Sequence, residues 1–219
     1  MYSTYDRKPC HSSAIILLDT LPIEAVATHR DFRRLNLIEG VETELRYATA
    51  NNFVGRNLYV GYDCAWLHRD AADALANVAI NLRAARPELR LLVLDALRPQ
   101  RVQELMWNSL EGTELRKYLA PPDQGSIHSF GMAVDVTLID AEGRELDMGT
   151  PFDDLTERSH PALELELLQR GEITAAQIAN RQILRNAMTA NLWQGISTEW
   201  WHFDCGDRHR VRQHYTRIL

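Results

Sequence analysis

The sequence predicts an α+β fold in which helices pack on a central, mainly antiparallel sheet. Two short stretches, residues 89–96 and 132–138, are apolar or rich in small and β-branched side chains, as buried strands are. Two long stretches, residues 63–86 and 173–191, have apolar residues at helical spacing. Strands and helices do not alternate regularly along the chain, which disfavours a repeated β-α-β arrangement.

Length and composition limit the possible functions. The chain has 219 residues, of which 45% are apolar and 25% charged, and this suits a single domain over residues 1–219 with a real core. Residues 1–13 are polar and irregular, so we expect a loose N-terminal tail there, or an edge strand. The net charge of −6, without a run of Lys or Arg, argues against a nucleic-acid partner.

Cysteines and hydropathy indicate the compartment. The three cysteines, Cys10, Cys64 and Cys205, are odd in number and form no CxxC pair, which disfavours a disulfide framework and fits a reducing compartment. We expect Cys205 to be a buried apolar residue. The early apolar run, residues 14–18, is too short for a secretory leader, and no transmembrane stretch follows. The sequence therefore predicts a cytoplasmic protein without membrane contact.

In the first half of the chain, strands are predicted at residues 14–19 and 41–48 and a long helix at residues 63–86. The helix has its apolar positions on one face, its first residue can cap it, and Pro87 ends it. His68 lies on this predicted helix and is expected at the surface. A central strand follows at residues 89–96.

In the second half, a helix is predicted to begin near Pro99. Its core face comprises Val102, Leu105, Met106 and Leu110. A further helix should begin after Thr174 and run to about residue 191, because Thr174 and Gln177 form a capping box. Residues 199–204 are then expected to return as a strand beside residues 132–138.

A candidate metal site lies in residues 126–138. It contains His128 and Asp135, whose side chains are both good zinc ligands. Gly131 lets the backbone turn between them, so that His128 could fold back toward Asp135. A catalytic zinc ion normally takes three protein ligands and keeps one position for water. His202, near the end of the chain, supplies a second imidazole.

Glu199 lies three residues before His202. In an extended segment this odd offset places the two side chains on opposite faces, so a bend or bulge is needed to aim both at one metal ion. We therefore assign His202 as a ligand and Glu199 as the base beside the metal-bound water, although Asp135 and Glu199 could exchange roles on chemistry alone. Taken singly, a histidine is more often a satisfied polar group, Asp135 could pair with an arginine, and Trp200 and Trp201 could fill the core.

Two further charged residues are candidates. Arg98 follows a predicted strand and precedes a helix, and its rigid fork of donors suits the stabilisation of an oxyanion. It could also be a surface charge or a structural ion pair. Asp153 lies in a polar loop at residues 147–160, where it is one of several acids.

These residues lie in motifs that resemble a known family. S-x-H-x-x-G-x-A-x-D followed by E-x-W-H is similar to the signature of the zinc D-alanyl-D-alanine peptidases related to VanX. Residues 47–55 and 95–99 resemble the segments Y-A-T-x-x-N-F-x-G and D-x-x-R-P of the dipeptidases in that family. Residues 148–160 resemble their M-G-x-x-F-D and E-R-S-H. The match runs from about residue 18 to 204 and points to the VanX-like dipeptidases, peptidase family M15.

The resemblance implies hydrolysis of D-alanyl-D-alanine to two D-alanines on a Hedgehog-like α+β fold, with one zinc ion at the exposed face of the sheet. The implied zinc ligands are His128, Asp135 and His202. Glu199 would act as the general base, and Arg98 would stabilise the oxyanion. The implied substrate contacts are Tyr47, Ser126 and Asp153, of which Asp153 would receive the free ammonium group.

Three alternatives remain at the level of sequence. A D,D-carboxypeptidase or an endopeptidase acting on peptidoglycan stem peptides would share the zinc motifs, but such enzymes work outside the cytoplasm. A non-catalytic zinc-binding module would not need Glu199 or Arg98. The partner that the resemblance implies is a small D,D-dipeptide substrate. It also suggests that the protein could form a homodimer.

Overall fold

In a computed structural model, the structure describes residues 19–219. The tail predicted at residues 1–13, and all but the last residue of the strand predicted at 14–19, lie outside the described residues. The described helices are α1 (Arg69–Ala85), α2 (Gln100–Ser109), α3 (Glu164–Gln169), α4 (Ala175–Thr189) and α5 (Arg208–His214). The described strands are β1 (Thr20–Leu21), β2 (Phe32–Arg34), β3 (Val41–Thr43), β4 (Trp66–His68), β5 (Arg90–Asp95), β6 (Ala133–Ile139), β7 (Trp193–Gly195), β8 (His202–Cys205) and β9 (Arg217–Ile218). The α+β class is confirmed.

The main sheet has five strands in the order β3-β5-β6-β8-β7. β3 runs parallel to β5, and the other three neighbouring pairs are antiparallel. Two small ribbons lie outside this sheet, antiparallel β2-β4 and parallel β1-β9. β6, at the centre of the main sheet, is buried along its whole length.

Helices α1 and α4 share one hydrophobic core with the sheet. Leu75 and Val78 of α1 belong to the same buried cluster as Leu184 and Met188 of α4 and most residues of β6. The capping box predicted for α4 is confirmed, because Thr174 and Gln177 exchange side-chain and backbone hydrogen bonds at 2.8 and 3.2 Å. This packing fixes α4 to the sheet.

The helix predicted from residue 63 begins later, at Arg69. Residues Trp66–His68 instead form β4, which pairs with β2. The cap predicted at Asp63 is therefore wrong, and the side chain of His68 accepts the hydrogen bond from Asp70 N at 3.2 Å. Nor does His68 lie at the surface of a helix, since its side chain is 13% exposed and its ring contacts those of Phe32 and Tyr215.

Three other boundaries differ from the prediction. The strand predicted at residues 41–48 ends at Thr43, and Tyr47 lies in a 3-10 turn, where it is buried. The returning strand begins at His202 and not at Glu199. On α2, Leu105 faces away from the core and is 43% exposed.

Cys64 and Cys205 are free and buried, as expected for Cys205. None of the helices in residues 19–219 has the length and apolar character that a membrane crossing requires.

Candidate metal centre and active-site cavity

Three neighbouring strands place titratable side chains in one row across the sheet. Asp95 ends β5, Asp135 lies within β6, and His202 begins β8. Asp95 is paired with Asp135, and Asp135 with His202. Because directly paired residues share a face of a sheet, the three side chains lie side by side. The ladder between β5 and β6 shifts between Val93 and Asp95, and such irregularities often re-aim side chains beside functional sites.

His128 joins this row from a short 3-10 helix just before β6. The turn ends at Gly131, whose φ is 64°. A Cβ there would lie 2.7 Å from the backbone nitrogen of His68, so only glycine fits. As the sequence suggested, this turn folds His128 back. Its Nε2 lies 3.2 Å from His202 Nδ1 and 3.3 Å from Asp135 Oδ1.

Hydrogen bonds determine which ring atoms face one another. His128 Nδ1 lies 2.8 Å from the carbonyl oxygen of Ala96, which can only accept, so Nδ1 carries the proton and Nε2 a lone pair. His202 Nε2 lies 2.9 Å from Asp204 Oδ1, and a proton there leaves a lone pair on Nδ1 of the neutral ring. The two lone pairs therefore face each other.

The geometry fits a metal ion. His128, Asp135 and His202 each offer a ligand atom within 4.8 Å of the others. Two imidazole nitrogens and one carboxylate oxygen converge, and all three are acceptors that need a proton or a cation between them. This donor set suits zinc and related divalent metals.

The pKa shifts in the cluster have the same origin. Burial lowers the pKa of His202, but Asp204 and Asp135 outweigh burial and raise it to about 10. Burial raises the pKa of Asp135, but His128 and His202 outweigh it and hold this pKa far below its usual range. In both cases a carboxylate and a protonated imidazole stabilise each other. A metal cation between the ligand atoms would replace that proton and leave the rings neutral, with their lone pairs directed at it.

The guanidinium of Arg98 is buried and held on three sides. Its Nε donates to Asp95 Oδ2 at 2.9 Å, its Nη1 to Gln103 Oε1 at 3.1 Å, and its Nη2 to Asp135 Oδ2 at 3.3 Å. The two oxygens of Asp135 are therefore divided between two partners. Oδ2 faces Arg98 and Oδ1 faces the histidines, so the arginine pair leaves one oxygen of Asp135 available for a metal ion.

A cavity of about 290 Å³ opens over this row. Its walls include all the site residues predicted from the sequence: Tyr47, Arg98, Ser126, His128, Asp135, Asp153, Glu199 and His202. Glu199 lies in the bent segment before β8 and not within the strand. The bend is the reason that Glu199 and His202 both reach the cavity despite their odd offset.

Asp153 is positioned by the segment that carries Tyr47. The Tyr47 hydroxyl donates to Asp153 Oδ1 at 2.8 Å, and the backbone N–H of Phe53 donates to Oδ2 at 3.3 Å. Burial raises the pKa of Asp153 to about 8, while the hydrogen bond from Tyr47 acts in the opposite direction. This carboxyl group therefore ionises more readily when a cation lies beside it.

Glu199 differs from Asp135 in both place and pKa. It does not belong to the group of converging ligand atoms, which distinguishes two acids that the sequence left interchangeable. Burial raises the pKa of Glu199 to about 7, with His202 acting against this shift. A carboxyl group with a pKa near neutrality can accept a proton and return it at physiological pH.

Sequence reasoning missed three polar residues of this centre. Asp95 and Gln103 hold Arg98, and Asp204 holds His202. Two of them had a signal in the sequence: Asp95 opens the D-x-x-R-P motif, and Asp204 follows His202 by two residues and so shares its strand face. Gln103 had none, because one glutamine on a helix resembles any other.

Comparison with known proteins identifies the family. The D-ala-D-ala dipeptidase family (Peptidase_M15) matches residues 30–218. The chain belongs to this family. The match spans all the residues that line the cavity, and it confirms the resemblance carried by the sequence motifs.

Curated members of the D-ala-D-ala dipeptidase family are similar over most of the chain. The D-alanyl-D-alanine dipeptidase of Escherichia coli (strain K12) is 39% identical over 164 residues, which cover 75% of this chain and 78% of that protein. The D-alanyl-D-alanine dipeptidase of Enterococcus faecalis is 30% identical over 183 residues, covering 76% of this chain and 87% of that protein. That of Enterococcus faecium is 29% identical over 186 residues, with coverage of 76% and 87%.

Proposed function

We propose that this chain hydrolyses D-alanyl-D-alanine to two molecules of D-alanine and uses one zinc ion per chain. One observation carries the proposal. In a member of the D-ala-D-ala dipeptidase family, a metal-type donor set shares a single cavity with Glu199, Arg98 and Asp153. The similar proteins from three bacteria have this activity in their names.

His128, Asp135 and His202 would hold the zinc ion. When bound, zinc supplies a Lewis acid that makes water more acidic and a carbonyl group more electrophilic. The chain's own part is to keep the ligand atoms facing inward. The Ala96 carbonyl and the Asp204 carboxylate do so by fixing the tautomers of the two rings, a role that strongly affects metal affinity in other sites.

Glu199 is the proposed general base and acid. Its carboxylate takes a proton from the attacking water while the water oxygen bonds to the carbonyl carbon. The same proton then passes to the leaving amine nitrogen as the C–N bond breaks. A pKa of about 7 suits both steps, because neither protonation state is strongly disfavoured at neutral pH.

Arg98 is proposed to stabilise the negative charge that develops on the carbonyl oxygen. Its contacts with Asp95, Gln103 and Asp135 fix the guanidinium before substrate arrives, so little reorganisation is needed during the reaction. Ser126 lines the same cavity and offers a hydroxyl group to the substrate.

Asp153 is proposed to pair with the free ammonium group of the substrate, with Tyr47 orienting the carboxylate. A longer or blocked peptide has an uncharged amide nitrogen at this point. It would leave the partly buried Asp153 carboxylate without a cation, which disfavours binding of that peptide. The cavity volume of about 290 Å³ lies at the small end of the range for ligand pockets and suits a dipeptide.

The test is amine release by the purified, zinc-analysed protein with D-alanyl-D-alanine and its N-acetyl derivative in parallel. We expect hydrolysis of the free dipeptide, loss of activity with a chelator, and recovery with added zinc. A comparable rate with the N-acetyl compound would indicate a D,D-carboxypeptidase instead. Inactivity toward both compounds in zinc-loaded protein would contradict the proposed substrate.

A further inference from the structure

Asp153 lies in a loop, residues 148–158, whose two ends are bound by one side chain. Nε of Arg181 donates to the carbonyl oxygen of Met148 at 2.7 Å, and Nη2 donates to that of Arg158 at 2.9 Å. Met148 precedes Asp153 and Arg158 follows it. We propose that Arg181 is a positioning residue for the amino end of the substrate, acting through Asp153.

The ion pairing of Arg181 does not account for its burial. Its side chain is fully buried, and its Nη1 lies 3.7 Å from Glu164, too far for a hydrogen bond. Glu164 is already paired with Arg185, whose Nη2 lies 2.8 and 2.9 Å from its two oxygens. Burying a second guanidinium there is costly. The close contacts that Arg181 makes are those with the two loop carbonyls.

The loop between these carbonyls is also closed on itself. Arg158 Nη2 donates to the carbonyl oxygen of Gly149 at 3.0 Å, and the hydroxyl groups of Thr150 and Ser159 lie 2.9 Å apart. Trp200 Nε1 donates to Thr150 Oγ1 at 2.8 Å, and Asn180 of α4 donates to the carbonyl oxygen of Asp147 at 2.8 Å, so the loop has further anchors near its first end. Arg181 fixes it to α4, and α4 packs on the sheet that carries the candidate metal centre.

This arrangement fixes the distance between Asp153 and the metal centre, which has to match the length of a dipeptide. The proposed function requires the ammonium group at Asp153 while the scissile carbonyl lies at the metal centre. Arg181 contributes to the link between the two places, through α4, by holding both ends of the loop. A guanidinium can reach both carbonyls at once because its donors form a rigid fork, whereas the single ammonium of lysine reaches one.

The test compares Arg181→Lys with Arg185→Lys, the same chemical change on the same helix one turn apart. This inference rests on the proposed function. With zinc-loaded protein and D-alanyl-D-alanine, we expect Arg181→Lys to raise KM about tenfold and to change kcat much less, as loss of one buried hydrogen bond would do. Arg185→Lys should keep the wild-type KM, because Arg185 contacts Glu164 and neither loop carbonyl.

A double variant separates positioning from general destabilisation. If Arg181 acts through Asp153, adding Arg181→Lys to Asp153→Asn should leave KM unchanged, whereas an independent structural effect would multiply. An unchanged KM in folded, zinc-loaded Arg181→Lys overturns the inference, and so do effects that multiply. Arg181→Met, with a larger effect expected, serves as the second variant. An inactive wild type would overturn the proposed function, whereas an active wild type with an unchanged KM in Arg181→Lys would overturn only the inference about Arg181.

Discussion

At the scale of the residue, the roles of the acids follow from what each carboxylate touches. Asp135 presents one oxygen to two histidines, Asp204 fixes the tautomer of one of them, and Glu199 stands apart from the converging atoms. Identical chemical groups within one cavity therefore differ in function because their neighbours differ. The acid that is free of the ligand group is the one available to move protons.

Glu199→Gln tests this assignment. Glutamine keeps the shape of the side chain but cannot accept the proton, so we expect kcat for D-alanyl-D-alanine to fall by roughly 10²- to 10⁴-fold. Bound zinc, measured by elemental analysis after dialysis, should stay at the wild-type level because Glu199 is not in the ligand group. Loss of zinc, or a kcat within a factor of about three of wild type, would remove Glu199 from this role.

The sequence was informative about single residues where the chemistry is local. His128 and Asp135 share one motif, and Glu199 and His202 share another, so their types and spacing could be recognised. What no motif contains is the division of Asp135 between Arg98 and the histidines. That depends on the pairing of β6 with its two neighbours, which brings together residues far apart in the chain.

At the scale of the element, the turn before β6 has the strictest backbone requirement. A Cβ at Gly131 would lie 2.7 Å from backbone of β4 and 3.1 Å from the Phe32 ring. The turn cannot move away from β4 without also moving His128, which belongs to the same turn and reaches into the cavity. Glycine at this point is therefore a condition for the position of a candidate ligand.

Gly131→Ala should destabilise the protein and weaken metal binding together. We expect a loss of roughly 2–4 kcal/mol, made up of the left-handed backbone and the clash with β4. Gly143→Ala is the matched control, since its φ is 80° and nothing lies within 4 Å of the added Cβ, so only about 1 kcal/mol should be lost. Urea unfolding and zinc titration measure both effects. Equal losses in the two variants would contradict the close approach.

Element boundaries show why periodicity alone was insufficient. Leu67 lies four residues before Ala71 and eight before Leu75, and all three are fully buried, so a helix through Leu67 fits the pattern. The structure instead places Leu67 in β4, where it pairs with Arg33 of β2. A buried position satisfies either element, and the decision comes from a strand distant in sequence. The capping box of α4 was predicted correctly because it depends only on residues three positions apart in the sequence.

At the scale of the whole molecule, the fold collects acids in one cavity and pairs them unevenly with positively charged side chains. Arg98 faces Asp95 and Asp135, but Asp153 receives only hydrogen bonds, from Tyr47 and Phe53. In the proposed reaction a metal ion balances the first group and the substrate's ammonium balances Asp153. Without metal and substrate, the ionised Asp153 carboxylate should therefore lower the free energy of unfolding.

Asp153→Asn tests this cost through its dependence on pH. The folded state raises the pKa of Asp153 to about 8, against about 4 in the unfolded chain. The protonated form is thus favoured by folding, and this contribution is present below pH 4 and lost as pH rises through 8. Asparagine does not titrate and tolerates the φ of 63° at this position.

The free energy of unfolding of Asp153→Asn relative to wild type should therefore increase between pH 5 and pH 8.5, by on the order of 1 kcal/mol once partial solvent exposure is taken into account. Urea unfolding of both proteins in chelator, followed by tryptophan fluorescence, measures it without a contribution from metal. A difference that is constant over this range would mean that Asp153 ionises without cost in the empty cavity. A difference that grows with pH, together with a raised KM, would mean that the molecule accepts lower stability in order to hold a carboxylate where the substrate's charge arrives.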